Sequence, residues 1–332
     1  MRLAKLLIAA LLLWSLYWAA AAWGLKTGIA AWFAEQHRQG WQAEYAGLET
    51  SGYPAVHLTR IAQPVLADPG TGTAWRADWL EMANPAIWPG QLTLRFPDTP
   101  QRLSYFDRTA VIAAQGLQAG LHLAPGAALE LEEMTLLSGP WQIARSGDAV
   151  LHGNALDLRM VQSAQPAVYR ITARAAELSP RAAWRRLLAA SSDLPERFDT
   201  LEAELTVAFD TPWDRSALEQ QRPQPRRIDL KLAEARWGDL QLKAAGAVTV
   251  DERGLPEGKV ALQAENWRGL VQMAERSGAL PPSLRSSVER VLGLLAEASG
   301  NPRHLDITLG FSGGNVTLGP LPLGPAPRLI IR

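Results

Sequence analysis

The chain has 332 residues, 47% of them hydrophobic and 20% charged, with 33 basic side chains balanced by 33 acidic ones. Zero net charge removes the long-range positive field on which nucleic-acid binding rests, and the absence of cysteine excludes disulfides, thiolate metal sites and cysteine nucleophiles. The apolar content and the 13 tryptophans exclude a disordered chain, and the length is enough for one large domain or two smaller ones.

Arg2 and Lys5 precede an uncharged run from Leu6 to Leu25. At about 1.5 Å per residue this run reaches roughly 30 Å, the thickness of a bilayer's hydrocarbon. Positive charge on the leading side keeps the start cytoplasmic and exports the rest. Two readings stay open at this point. One is an uncleaved anchor over residues 1–25, with Trp14, Trp18 and Trp23 in its far half. The other is a cleaved signal peptide with the alanines at 19–22 as its small-residue site, which leaves a soluble periplasmic protein. The helical pattern runs on through Ile29, Trp32 and Phe33 to about Gln39, where Gly40 stops it. Residues 26–39 are therefore expected to be a juxtamembrane helix and 40–332 an exported β-rich domain, with a sub-boundary near 178–200.

After Gly40 the periodicity drops to two. Ala55–Ile61 reads as a strand and Asp68–Gly72 as a turn. Leu92, Leu94 and Phe96 alternate with polar neighbours, as do Leu117 to Leu123, Leu129 and Leu131, Leu156 to Met160, and Tyr169 to Ala173. Ser179 as a cap, Pro180 at the first helical position and the stripe Trp184, Leu187, Leu188 predict a helix. Leu201 to Phe209 resumes the strands with the cleanest alternation in the chain. Ser216–Pro225 reads as a surface loop, followed by a strand carrying Ile228, Leu230 and Leu232. Leu240–Lys243, Val248–Val250 and Val260–Gln263 read as three further strands. Two helices are expected over Trp267–Ser277 and Pro282–Ala298, the second with the stripe Leu284, Val288, Val291, Leu292, Leu295. Strands at Leu305–Leu309 and Asn315–Leu318 precede the proline-rich Gly319–Pro327.

Strands joined by short turns pair antiparallel, because a parallel pair needs a long crossover. The expected fold is therefore mainly β, a β-rich α+β arrangement of curved antiparallel sheets with a few covering helices behind an N-terminal membrane-anchor helix. An apolar sheet face with too few helices to cover it leaves a groove. Trp75, Trp79, Trp88, Trp141 and Trp237 are the candidate groove residues, with core packing as the competing assignment.

Patterns with chemical content are few. His37, His57, His122, His152 and His304 show no metal-ligand spacing. Gly310-Phe311-Ser312-Gly313-Gly314 matches G-x-S-x-G, yet a strand follows where a nucleophile elbow needs a helix, and neither acid nor histidine comes later; a hairpin turn fits. Glu130, Glu132 and Glu133 form a dense acidic cluster, and alternation puts the first two on a solvated face. Arg222, Arg226 and Arg227 sit in or beside a proline-broken loop suited to solvent or to lipid head groups. No catalytic, cofactor-binding or metal site is expected, and the protein is expected not to be an enzyme.

The run Gly40-Trp41-Gln42-Ala43-Glu44-Tyr45, then Ser51-Gly52-Tyr53-Pro54, Asp68 to Trp75, Trp237-Gly238-Asp239-Leu240 and Gly313 to Leu323 resembles the DUF2125 family, uncharacterised proteins of Gram-negative envelopes. The resemblance spans nearly the whole chain, rests on turn and packing signatures, and implies no activity or catalytic residues. More distantly, a signal anchor leading into strands with a late Gly-x-Val-x-Leu-Gly segment is similar to AsmA-like envelope proteins, which implies a lipid-holding β-groove. The expectation is an inner-membrane, single-pass, periplasmic protein that handles lipid or another apolar envelope component without catalysis, with no nucleic-acid partner. The alternative is an envelope scaffold that binds protein partners through sheet edges.

Overall fold

The computed structural model describes residues 2–88, 90–145, 148–179, 197–219, 221–276, 280–298, 300–318 and 321–331. The expected helix after Ser179, with Trp184, Leu187 and Leu188, lies outside the described residues. The chain divides into two compact units: unit 1 holds Met1–Gly139 and Ile143–Asp148, unit 2 holds Pro140–Gln142 and Ala149–Arg332. The 178–200 stretch, where a sub-boundary was expected, falls within unit 2.

Unit 1 opens with α1 (Arg2–Arg38), a single unbroken helix across the expected anchor and juxtamembrane segments. Nothing between Lys5 and Lys26 is charged, so no residue there needs water. The helix ends on Gly40 at φ 92°, with Trp41 N–H donating to Gln36 C=O and Gly40 N–H to His37 C=O. That pattern is a Schellman stop, in which glycine accepts the left-handed conformation and caps the last carbonyls.

The strands of unit 1 are β1 (Gln42–Glu44), β2 (Gly47–Ser51), β3 (Val56–Ala62), β4 (Val65–Asp68), β5 (Thr73–Arg76), β6 (Trp79–Pro85), β7 (Gln91–Arg95), β8 (Gln101–Tyr105), β9 (Arg108–Ala114), β10 (Gln118–Leu123) and β11 (Leu131–Ser138). They form two sheets, ordered β2-β3-β6-β7-β10-β11 and β1-β4-β5-β8-β9. The core of this unit seals Phe33 of α1 against Ala43, Leu48 and Ile61, with Trp32, Tyr45 and Met82 packed around them. β12 (Trp141–Arg145) and β13 (Asp148–Gly153) lie where the two units divide.

Unit 2 is a meander. β14 (Ala155–Gln162), β15 (Val168–Leu178), β16 (Phe198–Phe209), β17 (Pro225–Trp237), β18 (Leu240–Val250), β19 (Pro256–Glu265), β20 (His304–Ser312), β21 (Asn315–Leu318) and β22 (Leu321–Pro325) each pair antiparallel with the next. Between them lie α2 (Ser216–Glu219), α3 (Arg268–Arg276) and α4 (Pro282–Ala298). Trp267, Val271 and Ala296 of the helical segment pack on Ala264 and Leu305 of the sheet.

Four expectations for this unit change. Ser216–Pro225 is not a plain surface loop: Asp214 Oδ1 accepts from the backbone N–H and hydroxyl of Ser216, which starts the turn α2 and buries Ala217. Leu240–Lys243 and Val248–Val250 belong to one strand, because Ala244 to Ala247 continue the ladder despite their low β propensity. A bulge between Leu230 and Ala233 inverts the alternation in β17, so Leu232 emerges opposite Glu204, on the face away from Leu230. Along α4 only Val288 and Leu292 of the expected stripe pack against the core, while Leu284, Val291 and Leu295 are exposed.

Candidate functional site

Period-two alternation in unit 2 sorts side chains into rows that cross the strands. One row runs in register through Leu158, Ala173, Ala203, Ala233, Ala244, Leu262 and Ile307. A second runs through Leu156, Ala175, Leu201, Ala235, Leu242, Ala264 and Leu305. The residues between them, Asp157, Arg174, Glu202, Glu234, Lys243, Gln263 and Asp306, form a third row on the opposite face. One face is thus apolar and the other charged, seven strands wide.

Side-chain size makes the apolar face hollow. Four alanines sit side by side on β15 to β18, and leucine or isoleucine stands at either end of their row. At the β18–β20 side α3 and α4 cover the sheet, and Leu270 of α3 joins the groove wall. The result is an open apolar cavity of about 500 Å³, within the size range of small-ligand sites. The charged face carries exposed ion pairs: Arg174 with Glu202 at 3.2 Å in that row, and Lys231 with Glu204 at 2.8 Å beside it. The hydrogen bond from Arg236 holds the Glu234 carboxyl below the usual carboxylate range, and Gln241 donates to the same oxygen.

The profile of a family described as uncharacterised proteins conserved in bacteria, DUF2125, matches residues 18–327. The chain belongs to the DUF2125 family. No curated protein matches it. In this DUF2125 member, α1 is long and apolar enough to cross a bilayer, as an anchor or a signal sequence would be.

None of the five tryptophans named from the sequence is among the described lining residues of the groove. Trp75 donates from Nε1 to Gln101 Oε1 at 3.2 Å and sets its ring edge-on to Phe96. Trp79 lies beneath the Arg60 guanidinium, 4.5 Å from ring centre to cation. Trp88 is half-exposed in the β6–β7 connection. Trp141 abuts Gly153, where a Cβ would come 3.0 Å from its indole nitrogen. Trp237 is buried with Leu240 against Phe198 and Leu270. An indole on the sheet floor would fill the hollow that the alanines leave. The usable sequence signal is instead the repeated small residue two apart around a charge, as in Ala173-Arg174-Ala175 and Ala233-Glu234-Ala235.

Other candidates resolve into local structure. Gly313 and Gly314, at φ 55° and 77°, form the two-residue turn of the β20–β21 hairpin, with Ser312 opposite Asn315. His122 lies 3.6 Å from Glu132 and His304 3.5 Å from Glu265, while His57 bonds the Trp18 carbonyl. Among the described residues no three His, Asp or Glu side chains cluster as metal ligands. Arg226 pairs with Asp210 and Arg227 with Asp229.

Proposed function

We propose that this protein is a non-enzymatic, membrane-anchored periplasmic protein that holds lipid acyl chains in the groove of unit 2. The observation that carries this reading is the alanine floor, four side chains wide and walled by leucine and isoleucine, on a face with no charged row of its own. An apolar hollow of that size gains about 0.8 kcal/mol for each methylene it takes out of water. Arg174, Glu202, Glu234 and Lys243 also border the hollow, but alternation places them in the row of the opposite face, so among the described residues the floor is built of apolar side chains, which supports passive binding over catalysis.

Sheet-edge recruitment of protein partners has weaker support. The last strand, β22, carries Pro322 and Pro325, which cannot donate to an added strand.

Native mass spectrometry of the full chain extracted from membranes in mild detergent tests the proposal. Bound phospholipid is expected on the wild-type chain and lost in Ala203→Phe and Ala244→Phe, which fill the floor without breaking a hydrogen bond. Lipid content unchanged in both variants, or absent from the wild type, overturns it.

A further inference from the structure

The end of the unit 1 sheet that lies beside the N-terminal half of α1 has an unusual composition. β3 begins, β6 ends, β7 begins, β10 ends and β11 begins at this end, since Val56 pairs with Pro85, His122 with Gln91 and Leu123 with Leu131. Three connections therefore share it, described over Gly52–Ala55, Ala86–Trp88 and Ala124–Leu129, the last followed by Glu130 just before β11. From Gly52 to Val56, from Ala86 to Gly90 and from Ala124 to Leu129 there is no charged residue. Large apolar or aromatic side chains are exposed there instead: Ile87 at 77%, Tyr53 at 48%, Trp88 at 45% and Leu129 at 42%. The opposite end of the same strands carries Asp78 and Asp98, bonded to Thr99 and to the Gly116 amide.

α1 is fastened to this end, where Glu130 at the base of the third connection is the one carboxylate in the described loops. Trp14 Nε1 donates to the Pro54 carbonyl at 3.2 Å, Tyr17 hydroxyl to the Ala86 carbonyl at 2.7 Å, and Trp18 Nε1 to the Val56 carbonyl at 3.1 Å. Ser15 Oγ meets Tyr53 Oη at 2.8 Å. Loop carbonyls at a protein surface are ordinarily satisfied by water. Here helix side chains satisfy them, the arrangement that irregular backbone requires where water is absent.

The level of the contact fixes what surrounds it. Lys5 stands about 14–20 Å along the helix from Trp14 and Trp18, at about 1.5 Å per residue. A bilayer's hydrocarbon is about 30 Å thick. With Arg2 and Lys5 at one boundary, the loops meet the helix well before the other. We propose that these three loops form a second membrane contact, seated among the acyl chains of the leaflet away from Arg2 and Lys5. This rests on α1 being an uncleaved anchor. Tyr53 and Trp88 suit such a site, since each pairs an apolar ring with one polar group.

The absence of cysteine gives a clean background for site labelling. The full chain is reconstituted into vesicles of phosphatidylethanolamine and phosphatidylglycerol containing nitroxide-labelled lipid. Single variants Leu11→Cys, Ile87→Cys, Leu129→Cys and Gln115→Cys carry an environment-sensitive fluorophore. Gln115 is exposed at the charged end of the sheet and serves as the aqueous reference. Quenching and a blue-shifted emission are expected at Leu11, Ile87 and Leu129, with neither at Gln115. Quenching at Leu11 alone overturns the loop contact and leaves the anchor standing. No quenching at any position removes the anchor and the loop contact together.

Discussion

In unit 1 the apolar side chains of β2 and β3 meet a cover: Leu48 and Ile61 pack with Phe33, and the rings of Trp32 and Tyr45 stand edge-on to Phe33. In unit 2 the helices α3 and α4 cover Ala264 and Leu305, while the alanine row across β15 to β18 faces an open hollow. Both sheets obey the same alternation. They differ in the volume each residue brings to its apolar face and, among the described residues, in how far a helix lies over that face. Alternation decides which side faces inward, and side-chain size decides whether the inside is full.

Removing the cover from each region sharpens this contrast. Trp267→Ala empties the centre of the cluster that holds the helices of unit 2 on their sheet; Trp267 is 1% exposed, so a loss of about 4 kcal/mol is expected by chemical denaturation of the full chain in detergent. A loss under about 1 kcal/mol, the scale of a tolerated volume-conserving swap, would mean that α3 and α4 contribute little to the fold. Phe33→Ala in unit 1 is expected to cost about 3 kcal/mol in the same assay, because Trp32 and Tyr45 can partly collapse into the space. A cost exceeding that of Trp267→Ala would reverse the contrast, making the anchor helix the tighter cover.

The smallest effect belongs to the charged face. The Glu234 carboxyl titrates below its ordinary range because Arg236 and then Gln241 hydrogen-bond its charged form. A group depressed in the folded state contributes stability that is present above its unfolded pKa and is lost as pH falls through the folded value. Glu234→Gln is therefore expected to lower stability slightly at neutral pH, to leave it unchanged at low pH where the wild-type carboxyl is protonated, and so to flatten the acid side of the stability profile below about pH 4.3. Acid profiles of wild type and variant that superimpose would show the pair to be without thermodynamic weight.

Much of unit 2 was legible from the sequence because its strands are long and alternate cleanly, as in Leu201 to Phe209. The strands β1, β4, β5, β8 and β9 were not, since three to seven residues such as Val65–Asp68 or Thr73–Arg76 are too short to display a period. The Asp68–Gly72 turn was visible through its own chemistry, with Asp68 accepting from the Gly70 amide and the Thr71 hydroxyl. Partial helical cover points from the sequence to a groove, but the tryptophans suggested for it by their bulk are not among the described lining residues of the hollow. Bulk is conspicuous in a sequence, whereas a cavity is made by small side chains aligned across strands, and register between strands is invisible in one dimension. The bulge that turns Leu232 outward belongs to the same class of hidden information.

The unbroken course of α1 from Arg2 to Arg38 carries a mechanical consequence. With no hinge along the rod and both Phe33 and the Trp14–Trp18 turn clamped to the strands, unit 1 would inherit whatever tilt and elevation the bilayer imposes on the leading residues. A protease cutting among the alanines at 19–22 would not merely free the body: it would amputate the three aromatic donors that close the Pro54, Val56 and Ala86 carbonyls.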